Sequence, residues 1–143
     1  MADFSKAFPI ILKNEGEYVN DPKDSGGETY RGISRHWFPN WGGWNIIDIY
    51  KKDKKLNNKN LSENKELMNC VSSFYKKEFW DKIWGDKISN QKVANLLLDS
   101  SVNIGISNAV KMSQKSFSLS ENGEMDNILL KKLNSVVGLK ELY

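Results

Sequence analysis

Apolar residues recur along most of this chain at intervals of three and four, the spacing that lays one stripe along a helix. Residues 3–15 predict a first helix that ends in the apolar set Phe8, Ile10, Ile11 and Leu12, with Asp3 or Ser5 as its N-cap. Pro9 falls in the first turn of that helix or kinks it. Leu67, Val71, Phe74, Tyr75 and Phe79 mark a second helical face, started by Asn60 with Glu63, or by Ser62, and ending around Trp80 to Ile83, before Gly85. Residues 90–104, NQKVANLLLDSSVNI, form the most core-like helix, with Val93, Leu96, Leu97 and Ile104 on or near one stripe and Gly105 as its C-terminal breaker. Ser107 caps a short helix holding Ala109, Val110, Met112 and Phe117, and Asn122-Gly123 makes a turn. A last amphipathic helix spans residues 126–136 through Ile128, Leu129 and Leu133. Convincing strand alternation is lacking; at most a short hairpin fits between Tyr18 and Ser34. The expected fold class is mainly α, with that stretch as its irregular or weakly β corner.

Turn formers crowd this corner. The stretch from Glu15 to Ser34 reads EGEYVNDPKDSGGETYRGIS and contains Asn20, Asp21, Pro22, Asp24, Gly26 and Gly27. Proline fixes its own φ and glycine permits positive φ, so these residues specify a tight, shaped loop. Carboxylates at Glu15, Glu17, Asp21, Asp24 and Glu28, and the hydroxyl of Thr29, lie in or beside it. A shaped loop carrying several acids next to a helix end is a place for proton chemistry.

Composition narrows the classes. At 143 residues the chain fits one domain, with 27% charged and 39% hydrophobic residues, the balance of a globular protein. No run approaches the roughly 18 apolar residues of a membrane span. The N-terminus, MADFSKAFPIILKNEGE, lacks the basic n-region and cleavage site of a signal peptide, so synthesis in the cytoplasm and another exit route are expected. The single cysteine, Cys70, excludes an internal disulfide, and its apolar setting predicts a buried small residue. The lone His36 excludes HExxH zinc chemistry, and neither a metal nor another cofactor is expected. A calcium loop fails too, because Lys23 and Ser25 stand where an EF-hand wants acids. The net charge of +3 is mild. The lysine- and asparagine-rich segment KKDKKLNNKNLSENKE, residues 51–66, reads as a solvated helix end and loop, without the aromatics of a nucleic-acid face.

Cleaving a glycosidic bond takes an acid that protonates the leaving oxygen and a second group across the sugar. The acid must hold its proton near neutral pH, which apolar neighbours favour. Glu15 suits that role, one helical turn after Ile11 and Leu12. Asp24 lies nine residues on in a polar, glycine-rich turn, and Thr29 five further, with a hydroxyl able to hold water. Taken alone the pattern also fits a purely structural reading, with Asp24 forming an Asx-turn. Trp37, Trp41 and Trp44 fall within eight residues; they line a sugar-binding cleft or clamp an irregular segment as a small core.

Glu15-Gly16-Glu17-Tyr18 with Asp21-Pro22, Asp24, Gly26-Gly27, Thr29 and Gly32-Ile33 resembles the signature of a bacterial and phage muramidase family, glycoside hydrolase family 108, whose members are also called secretion activator proteins or autolysins. That signature runs E-G-G-Y, N-D-P, D-x-G-G-x-T and G-I. Tyr75 to Asp81, YKKEFWD, resembles the family's Y-x-x-x-Y-W-D helix, and Asp99 to Gly105 with Ala109 and Gln114 resembles its D-x-x-V-N-x-G…A…Q segment. The resemblance implies a lysozyme-like helical domain that hydrolyses the β-1,4 bond between N-acetylmuramic acid and N-acetylglucosamine. It places the catalytic glutamate on Glu15. The order Glu, Asp, Thr also resembles phage-type lysozymes, where Asp and Thr position the attacking water, although the Asp-to-Thr interval there is one residue longer.

The chain departs from the family at Glu17, which replaces a glycine and reads as a surface residue or as a like charge acting on Glu15. Family members often continue into a peptidoglycan-binding module; here one muramidase domain over 1–143 is expected, with at most a truncated remnant of that module after about residue 120. Wall affinity then falls to Tyr30, Trp44 and Asn103, whose other readings are core for Trp44 and helix-end cap for Asn103. The expected partner is the peptidoglycan glycan strand, reached by a monomer with no nucleic acid and no membrane insertion, after release by a holin or an exporter. The rival is a non-catalytic wall-binding or secretion-assisting protein on the same fold.

Overall fold

A computed structural model of the chain describes residues 1–136. The last seven residues of the expected 1–143 domain lie outside the described residues. The chain divides into two compact units: Leu12–Phe74, and Met1–Ile11 together with the chain from Tyr75 onward. Helix α1, Phe4–Asn14, starts in the second of these and ends in the first.

The unit over Leu12–Phe74 holds a three-stranded antiparallel sheet in the order β1 (Val19–Asn20), β2 (Glu28–Tyr30), β3 (Ile33–Ser34). Val19 pairs with Thr29 and Asn20 with Glu28; on the other edge Thr29 pairs with Ser34 and Tyr30 with Ile33. Arg31 and Gly32 join β2 to β3 with φ of 51° and 80°, the two positive values a tight two-residue hairpin turn demands. The sheet exceeds the single hairpin expected. Its strands are two or three residues long, too short for a period of two to register in the sequence. Three helices follow: α2 (Gly43–Lys52), α3 (Asn58–Glu63) and α4 (Lys65–Tyr75). Helix α3 falls in the segment expected to be a solvated loop. Asn57 caps it by accepting the Asn60 N–H, and the side chain of Asn64 accepts the Leu67 N–H at 2.8 Å to start α4, so the starters are Asn57 and Asn64 rather than Asn60 or Ser62. Tyr30, Ile33, Trp44, Ile47, Leu61, Leu67 and Val71 form the buried interior here.

In the other unit, Asp3 caps α1 by accepting the Ser5 N–H at 2.9 Å. The N-terminus is tied down through Ala2 N–H to the Ile88 carbonyl and Asp3 N–H to Gln91 Oε1, both at 2.7 Å. A π-helical turn, Lys76–Trp80, continues α4; its Asp81 N–H reaches back to the Lys76 carbonyl. A short 3-10 turn over Gly85–Lys87 leads to α5 (Gln91–Ile104), α6 (Ile106–Ser116) and α7 (Asn127–Leu133). Helix α5 packs on α6 and on the π-helical turn. Its buried stripe is Val93, Ala94, Leu97, Leu98 and Ser101; Ile104, expected on that stripe, is 43% exposed because it ends the helix a turn beyond the contact. Gly105, with φ of 89°, closes α5 and opens α6 directly, so Ser107 is not a cap. Asp126 caps α7, which buries Leu129 and Leu133 and leaves Ile128 exposed. No helix of the described residues is long and apolar enough to cross a membrane.

Candidate active site

Glu15 is the first residue past α1 and stands half-buried, one turn after the buried Ile11. Glu17 is exposed. The β1–β2 connection is built from two successive aspartate turns. Asp21 accepts the Lys23 N–H on its side chain at 2.9 Å and the Asp24 N–H on its carbonyl at 3.0 Å. Asp24 repeats the motif, with the Gly26 N–H on Oδ1 at 3.1 Å and the Gly27 N–H on its carbonyl at 3.0 Å. Gly27, at φ 61°, then turns the chain into β2. The Asx-turn anticipated for Asp24 is present, and its carboxylate is exposed to water.

Asp24 and Thr29 meet around Gly26. A Cβ on Gly26 would stand 3.8 Å from each of Asp24 Oδ1, Ser34 Oγ and the methyl carbon of Thr29. Ser34 Oγ donates to the Gly26 carbonyl at 2.8 Å and accepts the Trp37 N–H at 3.4 Å. Alternation along β2 puts Thr29 on one face of the sheet with Val19 and Ser34, and Glu28 and Tyr30 on the other. Around Gly26 lies a polar corner, with the exposed Asp24 side chain and the Ser34 hydroxyl near the Thr29 side chain.

The opposite face carries a network that the sequence did not suggest. Tyr18 donates its hydroxyl to Glu28 Oε2 at 2.5 Å, Arg35 donates to Glu28 Oε1 at 3.0 Å, and Lys51 also pairs with Oε2. Arg35 further makes a two-pronged pair with Asp48 at 2.7 and 2.8 Å. Burial pushes the Glu28 carboxyl up, but hydrogen bonds from Lys51, Tyr18 and Arg35 outweigh it, and Glu28 titrates below its ordinary value. The Arg35 hydrogen bonds lower Asp48 likewise. Burial, followed by the hydrogen bond to Glu28, raises Tyr18. In the sequence Glu28 stands as one acid among five and Tyr18 as part of the E-G-G-Y-like signature, with nothing to join them to Arg35, Asp48 or Lys51. The partners of Glu28 are spread along the chain, Tyr18 before β1, Arg35 just after β3 and Lys51 at the end of α2, and no local motif connects them.

The three residues expected to bind substrate stand differently. Trp44 and Tyr30 are each 1% exposed, so neither offers a ring face to a sugar. Trp44 is core: it donates its indole N–H to the Phe38 carbonyl at 2.9 Å and stacks edge-on against Trp41. Tyr30 fills the interior through its ring, and its hydroxyl finds no hydrogen-bond partner among the described residues. Asn103 is exposed in the last turn of α5, in the other unit, and is not the cap of that helix. An open depression of about 510 Å³ between α2, α3 and α4, lined by Tyr50, Lys55, Asn64 and neighbours, includes none of the candidates. Among the described residues no three His, Cys, Asp or Glu side chains gather as a metal site. Cys70 is half-buried, with its thiol pushed up by burial.

The sequence model of the family Glycosyl hydrolase 108 matches residues 8–105, a span that includes Glu15, Asp24, Thr29 and Asn103. No curated protein matches the chain. Among solved structures, SagA of Brucella abortus is similar, with 25% identity and a TM-score of 0.65 over 97% of this chain and 74% of that one.

Proposed function

Because this chain belongs to the glycosyl hydrolase 108 family, we propose that its lysozyme-like domain is an N-acetylmuramidase, cleaving the β-1,4 bond between N-acetylmuramic acid and N-acetylglucosamine in peptidoglycan. The observation that carries this reading is the family match, which spans all three proposed catalytic residues. Glu15 is the general acid: it protonates the glycosidic oxygen as the bond to the anomeric carbon breaks. Asp24, charged and wet, takes a proton from the attacking water, and Thr29 beside it helps hold that water. Attack from the opposite face inverts the sugar, so the new reducing end forms first as the α anomer, which proton NMR of fresh product reads directly. The chain works as a monomer on glycan strands, released from the cytoplasm by a holin or an exporter.

Glu15→Gln keeps the shape of the side chain and removes the proton it donates. It should lower the release of reducing ends from purified peptidoglycan by at least about 100-fold while leaving the unfolding midpoint unchanged. Undiminished release would remove Glu15 from the mechanism. Binding of the unaltered chain to sacculi with no release at all would replace hydrolysis with the wall-binding or secretion-assisting role.

A further inference from the structure

Of the three tryptophans in the run after β3, two are accounted for by packing. Trp44 is buried, and Trp41 lies flat on Gly43, where a Cβ would come within 2.3 Å of its ring, and donates its N–H to the Cys70 carbonyl at 3.1 Å. Trp37 is 69% exposed, an unusual condition for the largest apolar side chain. A lone exposed apolar residue needs no explanation in itself; the position of this one does. Its backbone N–H is bound to Ser34 Oγ, and that same oxygen, Asp24 Oδ1 and Thr29 all surround Gly26. The ring is also steadied, since His36 packs edge-on against it at 4.7 Å and 82°. An exposed indole on a residue whose backbone is tied to Ser34, at the corner that also holds Asp24 and Thr29, suits the two-sided chemistry of a pyranose. A flat ring covers the apolar C–H face of a sugar, and polar groups of the same corner are of the kind that bond its hydroxyls and acetamido group.

We propose that Trp37 is the aromatic platform on which one N-acetylhexosamine ring of the glycan strand stacks, the role that burial denies to Trp44 and Tyr30. The proposal rests on the muramidase reading for the identity of the glycan, and binding measured without turnover separates the two. Sedimentation with purified sacculi should show Glu15→Gln bound and the double variant Glu15→Gln/Trp37→Ala weakened about tenfold, the scale of losing an aromatic anchor. Glu15→Gln/Trp37→Phe, which keeps a flat ring, should bind within about threefold of Glu15→Gln. In the otherwise unaltered chain, Trp37→Ala should raise KM for glycan by a similar factor and change kcat little, because the stacked ring is held in ground and transition states alike. The unfolding midpoint should not move, as the side chain is mostly in water. Equal sedimentation of the Glu15→Gln and Glu15→Gln/Trp37→Ala proteins would overturn the platform, as would failure of both to bind. Weakened sedimentation in the double variant upholds it even if Glu15→Gln is found to retain hydrolysis.

Discussion

Asp24 serves its own turn and, in the proposed mechanism, the water, and two substitutions separate these roles. Asn keeps an oxygen that can accept the Gly26 N–H, so Asp24→Asn should fold with an unchanged melting midpoint yet lose about 100- to 1000-fold in reducing-end release, as removal of a general base does. Asp24→Ala loses the Asx-turn as well and should cost a further ~1 kcal/mol in denaturant unfolding. Equal activity in the Asn variant would reduce Asp24 to a turn former. The turn itself was legible in the sequence because Asx geometry is local: an aspartate two residues before a glycine carries its own instruction. The fate of the aromatics was not. Trp37, Trp41 and Trp44 differ in exposure because Gly43 lets one ring lie on the backbone and Phe38 accepts from another, contacts that spacing does not encode.

At the scale of elements, Gly85 shows how one missing atom holds a packing arrangement. A Cβ there would stand 2.2 Å from Trp80 Cε2, and Trp80 is fully buried with its indole N–H given to Asp86 at 2.8 Å. The ring has nowhere to retreat without giving up that bond. Gly85→Ala should therefore destabilise by about 1–3 kcal/mol, read as a lower midpoint in urea with an unchanged slope. In the sequence Gly85 appeared only as the end of a helix, since the close approach to Trp80 depends on the turn through Trp84, whose φ is 58°. The long helices were readable from apolar spacing, and α4 buries Leu67, Val71, Phe74 and Tyr75 as that spacing demands. The start of α4 differs from the expectation, because in a run containing several asparagines any of them satisfies the rule, and tertiary position selects Asn64 there and Asn57 for the short α3 before it. Gln114, matched to the family segment, is structural here: its amide clasps Gly123 N–H, Asn122 and the Glu124 carbonyl.

For the molecule as a whole, the pH range of stability follows from the network beneath β2. Glu28 and Asp48 titrate below their ordinary values of 4.5 and 3.8, so the folded state binds their protons less readily than the unfolded chain does. Their stabilisation is complete above the unfolded values and is lost as pH falls through the folded ones. Lys51 and Arg35 shift upward, and their contribution is complete below the ordinary lysine value of 10.5 and lost only as pH rises past it. Stability should therefore be level from about pH 5 to about pH 9, above which the upward-shifted Cys70 thiol begins to lose its contribution, and decline on either side. Glu28→Gln tests the assignment. The Glu28 side chain is 11% exposed while Lys51 and Arg35 are each about one-third exposed, so the cost lies between that of a surface pair and a buried one, about 2 kcal/mol at neutral pH. That difference between the unaltered chain and the variant should shrink as pH falls from about 5 to about 2, because protonation of Glu28 removes the same charge that the substitution does. Urea unfolding of both proteins across that range provides the measurement, and a gap that stays constant with pH would mean that the cost of Glu28→Gln comes from packing and not from its charge.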